Sequence, residues 1–141
     1  MMSLVVVDGD ALAFEPQFGD RMVTLVDPPM IRGTGLATIG GVKVCIEGDE
    51  AKVRLKAIYS TSTYTVPGNG IVTIKALDSS QMASGCTSPM SVITKGRQKF
   101  TASFTPAKPA MTPSSPSTAD AAPPSDGKGE FVTSQNWVQA G

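Results

Sequence analysis

Ala51-Lys52-Val53-Arg54-Leu55-Lys56-Ala57-Ile58 decides the fold class. Basic residues occupy positions 52, 54 and 56, and apolar residues stand between them. Successive side chains of a β-strand point to opposite faces, so this run has one wet face and one dry face. A helix would scatter the same charges around its circumference. Working outward, residues 3–7, 22–26, 36–39, 42–46, 62–66, 71–76, 91–94 and 99–104 are short runs rich in β-branched residues and read as further strands. Turn sequences separate them: Asp8-Gly9-Asp10, Asp27-Pro28-Pro29, Gly40-Gly41, Pro67-Gly68-Asn69-Gly70 and Lys95-Gly96. Glycine supplies positive φ there and proline presets φ near −65°. Short strands at such spacing predict an all-β domain. Within 71–76, Ile71 and Ile74 are both expected to point inward. The one helical candidate is the short stretch 78–83, where Asp78 can cap and Gln81 can reach back to close a capping box.

The 141 residues contain no histidine. This excludes Ser-His-Asp and Cys-His catalysis and any imidazole ligand. Gly33-Thr34-Gly35 and Gly68-Asn69-Gly70 open no helix and precede no Gly-Lys-Ser/Thr, so they are turns rather than phosphate loops. The acidic pairs Asp8/Asp10 and Asp49/Glu50 lie in turns as ordinary surface. Cys45, between Val44 and Ile46, reads as an inert buried thiol, and Cys86 sits in a Ser/Thr/Gly loop. Two cysteines fill only half of a zinc site, so they are weak metal candidates, and no metal, cofactor or catalytic activity is expected.

Twelve basic residues balance twelve acidic ones, so the total charge carries no nucleic-acid footprint. The balance hides an asymmetry. Residues 1–50 carry eight acids against three bases, and residues 51–104 carry seven bases against one acid, Asp78. The halves either neutralise each other within one domain or give a polar particle with two faces. The apolar run at 4–7 is ended at once by Asp8 and Asp10, and no stretch is long enough to span a bilayer. Synthesis in the cytoplasm without a cleaved signal is therefore expected, with no stable membrane insertion.

Composition places a boundary at 104. Residues 105–129 hold six of the eleven prolines, and Met111 is their only apolar side chain larger than alanine. They are expected to form a disordered linker. Residues 130–141 bring back Phe131 and Trp137. This C-terminal peptide either docks on the domain or anchors a partner, with Phe131 and Trp137 as candidate contacts. A weak internal repeat pairs Gly33-Thr34-Gly35-Leu36-Ala37-Thr38-Ile39 with Gly68-Asn69-Gly70-Ile71-Val72-Thr73-Ile74, and Glu47-Gly48-Asp49-Glu50-Ala51-Lys52-Val53 with Lys95-Gly96-Arg97-Gln98-Lys99-Phe100.

The stretch Gly41-Val42-Lys43-Val44-Cys45-Ile46-Glu47-Gly48-Asp49 resembles the repeat of the PAAR family. Residues 64–74, the Asp-Ser-Ser-Gln turn at 78–81 and residues 92–100 add to the likeness. It implies a small cone-like or prism-like β domain over 1–104, with pseudo-repeats, that caps the trimeric β-helical spike of a contractile injection system. Such systems are type VI secretion machines, extracellular injection particles and phage tails. The implied partner is a VgrG-like trimeric spike protein, one tip per trimer, with cargo or effector proteins as further partners and membrane puncture as the task. The chain would be assembled into an injection particle and delivered outside the cell or into a target. The Pro-Ala-Ala-Arg tetrapeptide is absent, with Lys43-Val44-Cys45-Ile46 in its place, and the family's histidine metal site cannot be carried over. The alternative from the residues alone is a small β-sandwich binding module for carbohydrate or protein, followed by a linker.

Overall fold

The structure is a computed structural model that describes residues 3–83, 91–114, 116–121, 123–135 and 138–140. Thirteen strands follow in chain order: β1 (Ser3–Leu4), β2 (Ala11–Phe14), β3 (Gln17–Phe18), β4 (Arg21–Leu25), β5 (Thr38–Ile39), β6 (Val42–Lys43), β7 (Arg54–Ser60), β8 (Gly68–Ala76), β9 (Met82–Ala83), β10 (Val92–Ile93), β11 (Phe100–Lys108), β12 (Ser125–Val132) and β13 (Gln139–Ala140). The molecule is all-β, as the alternation of 51–58 predicts. Among the described residues the only helical pieces are two 3-10 turns, Asp49–Lys52 and Ser79–Gln81. The second carries the expected capping box between Asp78 and Gln81.

Seven strands form one antiparallel sheet in the order β2-β12-β11-β8-β7-β4-β3. Its two edge strands are consecutive in the chain. Glu15 continues the pairing with β12 through its amide to the Lys128 carbonyl, and the Pro16 carbonyl accepts from Val23. One bent strand, 11–18, therefore serves both edges, and the sheet curls round an apolar interior. Inward positions alternate along each strand: Leu55, Ala57 and Tyr59 on β7, Val72 and Ile74 on β8, Phe100, Ala102 and Phe104 on β11. Ile74 faces inward as expected. Ile71, an odd number of residues away, lies on the other face and is half-buried.

β12 crosses the expected linker. Gly127, Gly129 and Phe131 face inward, and Asp126, Lys128 and Glu130 face out. Glycine is required at the first two because aromatic rings fill that space. A Cβ on Gly127 would lie 2.7 Å from the Phe18 ring, and one on Gly129 2.7 Å from the Phe100 ring. Phe131 is completely buried, 5.1 Å from Phe100 between ring centroids. It is a core ring rather than an exposed anchor.

The boundary expected at 104 falls inside β11, which runs on to Lys108 and pairs with both β8 and β12. The Pro/Ser-rich segment beyond it folds back on the barrel. Met111 bridges both Val66 and Ala119, Thr112 donates to Thr118, and Asp120 donates to Ala110. The result is a two-armed finger, 110–112 against 118–120. Its base is clamped: the Asp120 carboxylate accepts from Arg21 Nε (3.1 Å) and from the Tyr59 hydroxyl (3.0 Å), and the Tyr59 hydroxyl accepts from the Ala110 amide (2.9 Å). Arg21 also donates to the Pro123 carbonyl and Ser125 Oγ and lies over the rings of Tyr59 and Phe104. Composition misjudged this segment because the buried polar clamp, rather than large apolar side chains, orders it.

Candidate functional site

At the opposite end of the barrel, three short segments close a triangle: Val5-Val6-Val7, Val44-Cys45-Ile46 and Val92-Ile93-Thr94. The end of each meets the start of the next, through bridges Val7 to Val44, Ile46 to Val92 and Thr94 to Val5. The central residues are linked head to tail. Val6 donates its amide to the Ile93 carbonyl, Ile93 to Cys45 and Cys45 to Val6, each at 2.9 Å. A second ring repeats the pattern outside the first: Asp8 donates to Lys43, Glu47 to Ser91 and Lys95 to Leu4, at 2.7–2.8 Å. Cyclic donation among three segments of one chain amounts to a pseudo-threefold axis.

The sequence carries this repeat as Val-Val-Val-Asp-Gly-Asp (5–10), Val-Cys-Ile-Glu-Gly-Asp (44–49) and Val-Ile-Thr-Lys-Gly-Arg (92–97). Each glycine has positive φ: 85° at Gly9, 105° at Gly48 and 70° at Gly96. Each turns the chain sharply out of the triangle and into the barrel. The strands that follow are β2, β7 and β11, and β4, β8 and β12 bring the chain back. Every repeat thus contributes one hairpin to the barrel and one side to the triangle. The expected pairing of 47–53 with 95–100 overlaps the ends of two of these three copies. The Gly-x-Gly pairing is not structural: residues 33–39 form a loop running into β5, whereas 68–74 lie in β8.

Period-2 alternation gives the triangle two faces. The central residues Val6, Cys45 and Ile93 are fully buried and join the barrel core. The flanking residues Val5, Val7, Val44 and Val92 form a second apolar cluster with Ile39, Ile46 and Val138. Three two-stranded ladders continue from it: β1 with β13, β6 with β5, and β10 with β9. This end of the molecule is therefore three similar arms around an apolar centre.

Buried carboxylates lock the corners. Asp10 accepts from the Val7 amide at 2.9 Å and from the Ser134 hydroxyl and amide. Asp49 does the same for Ile46 and for Thr34. In the third repeat Arg97 stands in the aspartate's place. There the Thr94 amide is satisfied by the Gln81 carbonyl, and Ser80 Oγ accepts from Arg97 and Gln98. These acids are structural clasps.

Cys45, which with Val6 and Ile93 surrounds the pseudo-axis, has no exposed surface. Burial first, then the nearby Asp49, Asp10 and Asp8, raises its thiol pKa far above the usual value, so it stays protonated. Cys86 and Trp137 lie outside the described residues. Among the described residues no group of three His, Cys, Asp or Glu side chains could hold a metal ion, and no helix is long and apolar enough to cross a membrane.

The model of the contractile injection system spike tip protein family matches residues 1–141. The chain belongs to that family. No curated protein shows significant similarity to it. As a spike tip protein it is a structural component of a contractile injection system, associated with the spike and assembled into the injection particle. The PAAR-like resemblance of 41–49 falls on one side of the triangle, the Val44-Cys45-Ile46 copy of the repeat.

Proposed function

We propose that one copy of the chain caps a trimeric, VgrG-like β-helical spike, with the triangle and its three ladders facing the spike. The observation that carries this reading is the cyclic hydrogen bonding of Val6, Cys45 and Ile93. A monomer with three similar arms can meet three identical subunits at once. The outer ladder strands β5, β9 and β13 each have a partner on one side only in the described sheets. Unpaired strand edges are templates for strand addition, and main-chain pairing supplies affinity in that mode. Residues 105–129, expected to form a disordered linker, run instead through β11, the finger and β12, and the proposal is confined to capping.

The test is the native mass of the complex with the cognate spike. One tip per three spike chains is expected. Three tips per trimer, or no complex, would refute the reading.

A further inference from the structure

The basic excess of residues 51–104 is only partly neutralised. Lys75 pairs with Asp126, and Lys99 with Glu15. Arg32 and Arg54, both exposed, have no hydrogen-bond or ion-pair partner among the described residues. They meet at a cleft of about 260 Å³ on the barrel wall, with Lys52 as its third cation. Lys56, on the same outer face of β7 as Arg54, adds a positive charge beside it.

Two carboxylates also line the cleft, and both are engaged elsewhere. Asp27 accepts from the Lys56 amide at 2.9 Å. Asp49 accepts from the Ile46 amide and from the amide and hydroxyl of Thr34, and Lys52 Nζ stands 3.9 Å from it. Three cations against two carboxylates leave the cleft net positive. The backbone that carries the cations is pinned. The Ile31 amide donates to the Asp10 carbonyl and the Gly33 amide to the Asp8 carboxylate, which fixes the chain on both sides of Arg32. Lys52 ends the 3-10 turn, and Arg54 opens β7.

The cleft belongs to the second repeat alone. Residues 3–20, in the first, contain no basic side chain. In the third, Arg97 lies in the corner turn and Lys99 is paired with Glu15. Contact with a threefold partner calls for the same group in every repeat, so a feature of one repeat fits a ligand bound singly. A guanidinium presents its N–H groups as a fork that matches the oxygens of a phosphate, and two such forks beside an ammonium suit a multiply charged anion. At roughly 30 Å³ per water, the cleft has room for about nine, close to the bulk of a diphosphate.

We propose that this cleft binds a phosphate monoester or diphosphate group, held by Arg32 and Arg54 with Lys52 as the third charge. The proposal stands independently of which end of the molecule meets the spike.

The test titrates the full-length protein with pyrophosphate by isothermal calorimetry at low ionic strength. One site per chain is expected. Arg32→Gln and Arg54→Gln should each weaken binding about tenfold or more, the loss of a charge-assisted hydrogen bond. Arg32→Lys and Arg54→Lys keep the charge and should recover part of it. Lys75→Gln, on the same wall but outside the cleft, should change it by no more than about twofold. Thermal melts of the arginine variants should match the native one, since neither side chain has a partner to lose. No binding at about 1 mM would overturn the proposal. So would equal binding by native and glutamine variants, which would mean an adventitious ion only, or an equal loss with Lys75→Gln, which would mean general surface charge. Sedimentation with phosphatidylcholine vesicles containing phosphatidic acid separates the sources. If the native protein binds pyrophosphate and sediments only with both arginines present, the group is a lipid headgroup; if it binds pyrophosphate and stays in solution, the group belongs to a soluble molecule.

Discussion

Removing the Asp120 carboxylate, as in Asp120→Ala, should cost the protein about 3 kcal/mol. Breaking a buried ion pair by deleting one partner typically costs about 3–5 kcal/mol, because the other charge is left without compensation. Both side chains are nearly inaccessible here, at 3% and 4% exposure. The low end of the range applies, since Arg21 keeps the Pro123 carbonyl and Ser125 Oγ as acceptors. Tyr59 loses an acceptor but keeps the Ala110 amide as a donor to it. A loss of that size is a large part of the ~5–15 kcal/mol that holds a domain together. It corresponds to a fall in Tm of roughly 10 °C for a chain of this length. Urea denaturation followed by circular dichroism measures it. The double change Arg21→Met with Asp120→Leu should recover most of the loss, because the orphaned charge is gone. If Asp120→Ala costs less than about 1 kcal/mol, the clamp is surface decoration. If the double variant is no better than the single one, packing rather than charge is at work, and the reasoning fails.

Four further outcomes are expected. Ile74→Asp should abolish the cooperative urea transition, whereas Ile71→Asp on the outer face should retain it; equal behaviour would contradict the register of β8. Gly129→Ala should lose about 1–3 kcal/mol against the Phe100 ring, measured by thermal melting, and Phe100→Leu should relieve part of that loss. Cys45 should resist alkylation by iodoacetamide near neutral pH in the folded protein and react fully in denaturant. Burial first, then the Asp120 carboxylate, raises the Tyr59 pKa above its ordinary 10.0. Its contribution to stability is therefore present below pH 10 and lost as pH rises through the folded-state value, which urea melts between pH 9 and 11 would show.

The fold class was legible because charge and apolarity alternate openly in 51–58, and because Ile71-Val72-Thr73-Ile74 of β8 and Phe100, Thr101 and Phe104 of β11 are β-branched or aromatic. Among the strands of four or more residues, two were not. β2, Ala-Leu-Ala-Phe, lacks β-branched residues, and β12 looks like linker because two of its three inward positions are glycines. The inward face of β12 becomes visible only once Phe18 and Phe100 are known to fill the missing side-chain volume. The threefold repeat was present as apolar triplets each followed by a polar residue and a glycine. It was obscured because the third copy replaces aspartate by Arg97 and reassigns the aspartate's bond to the Gln81 carbonyl. The finger was illegible for another reason. Its order comes from Arg21 and Tyr59, which are 99 and 61 residues away from Asp120 in the chain.

Why a single chain should imitate three follows from its two ends. At the triangle the repeats stay close in geometry, with matching rings of hydrogen bonds and two of the three corners clasped by the same aspartate–hydroxyl pairing. At the other end the symmetry is gone: one hairpin turns in two residues, one in seven, and one grows a finger whose clamp draws Arg21 from the first repeat and Tyr59 from the second. Three identical chains could build the triangle with less sequence, but they would also repeat the finger three times at the other end. Fusing the repeats lets each hairpin end diverge while the triangle keeps its shared ring of hydrogen bonds. Substitutions should therefore be tolerated unequally. Changes at Val6, Cys45 or Ile93 disturb all three sides through the shared ring, whereas changes at 61–67 stay local.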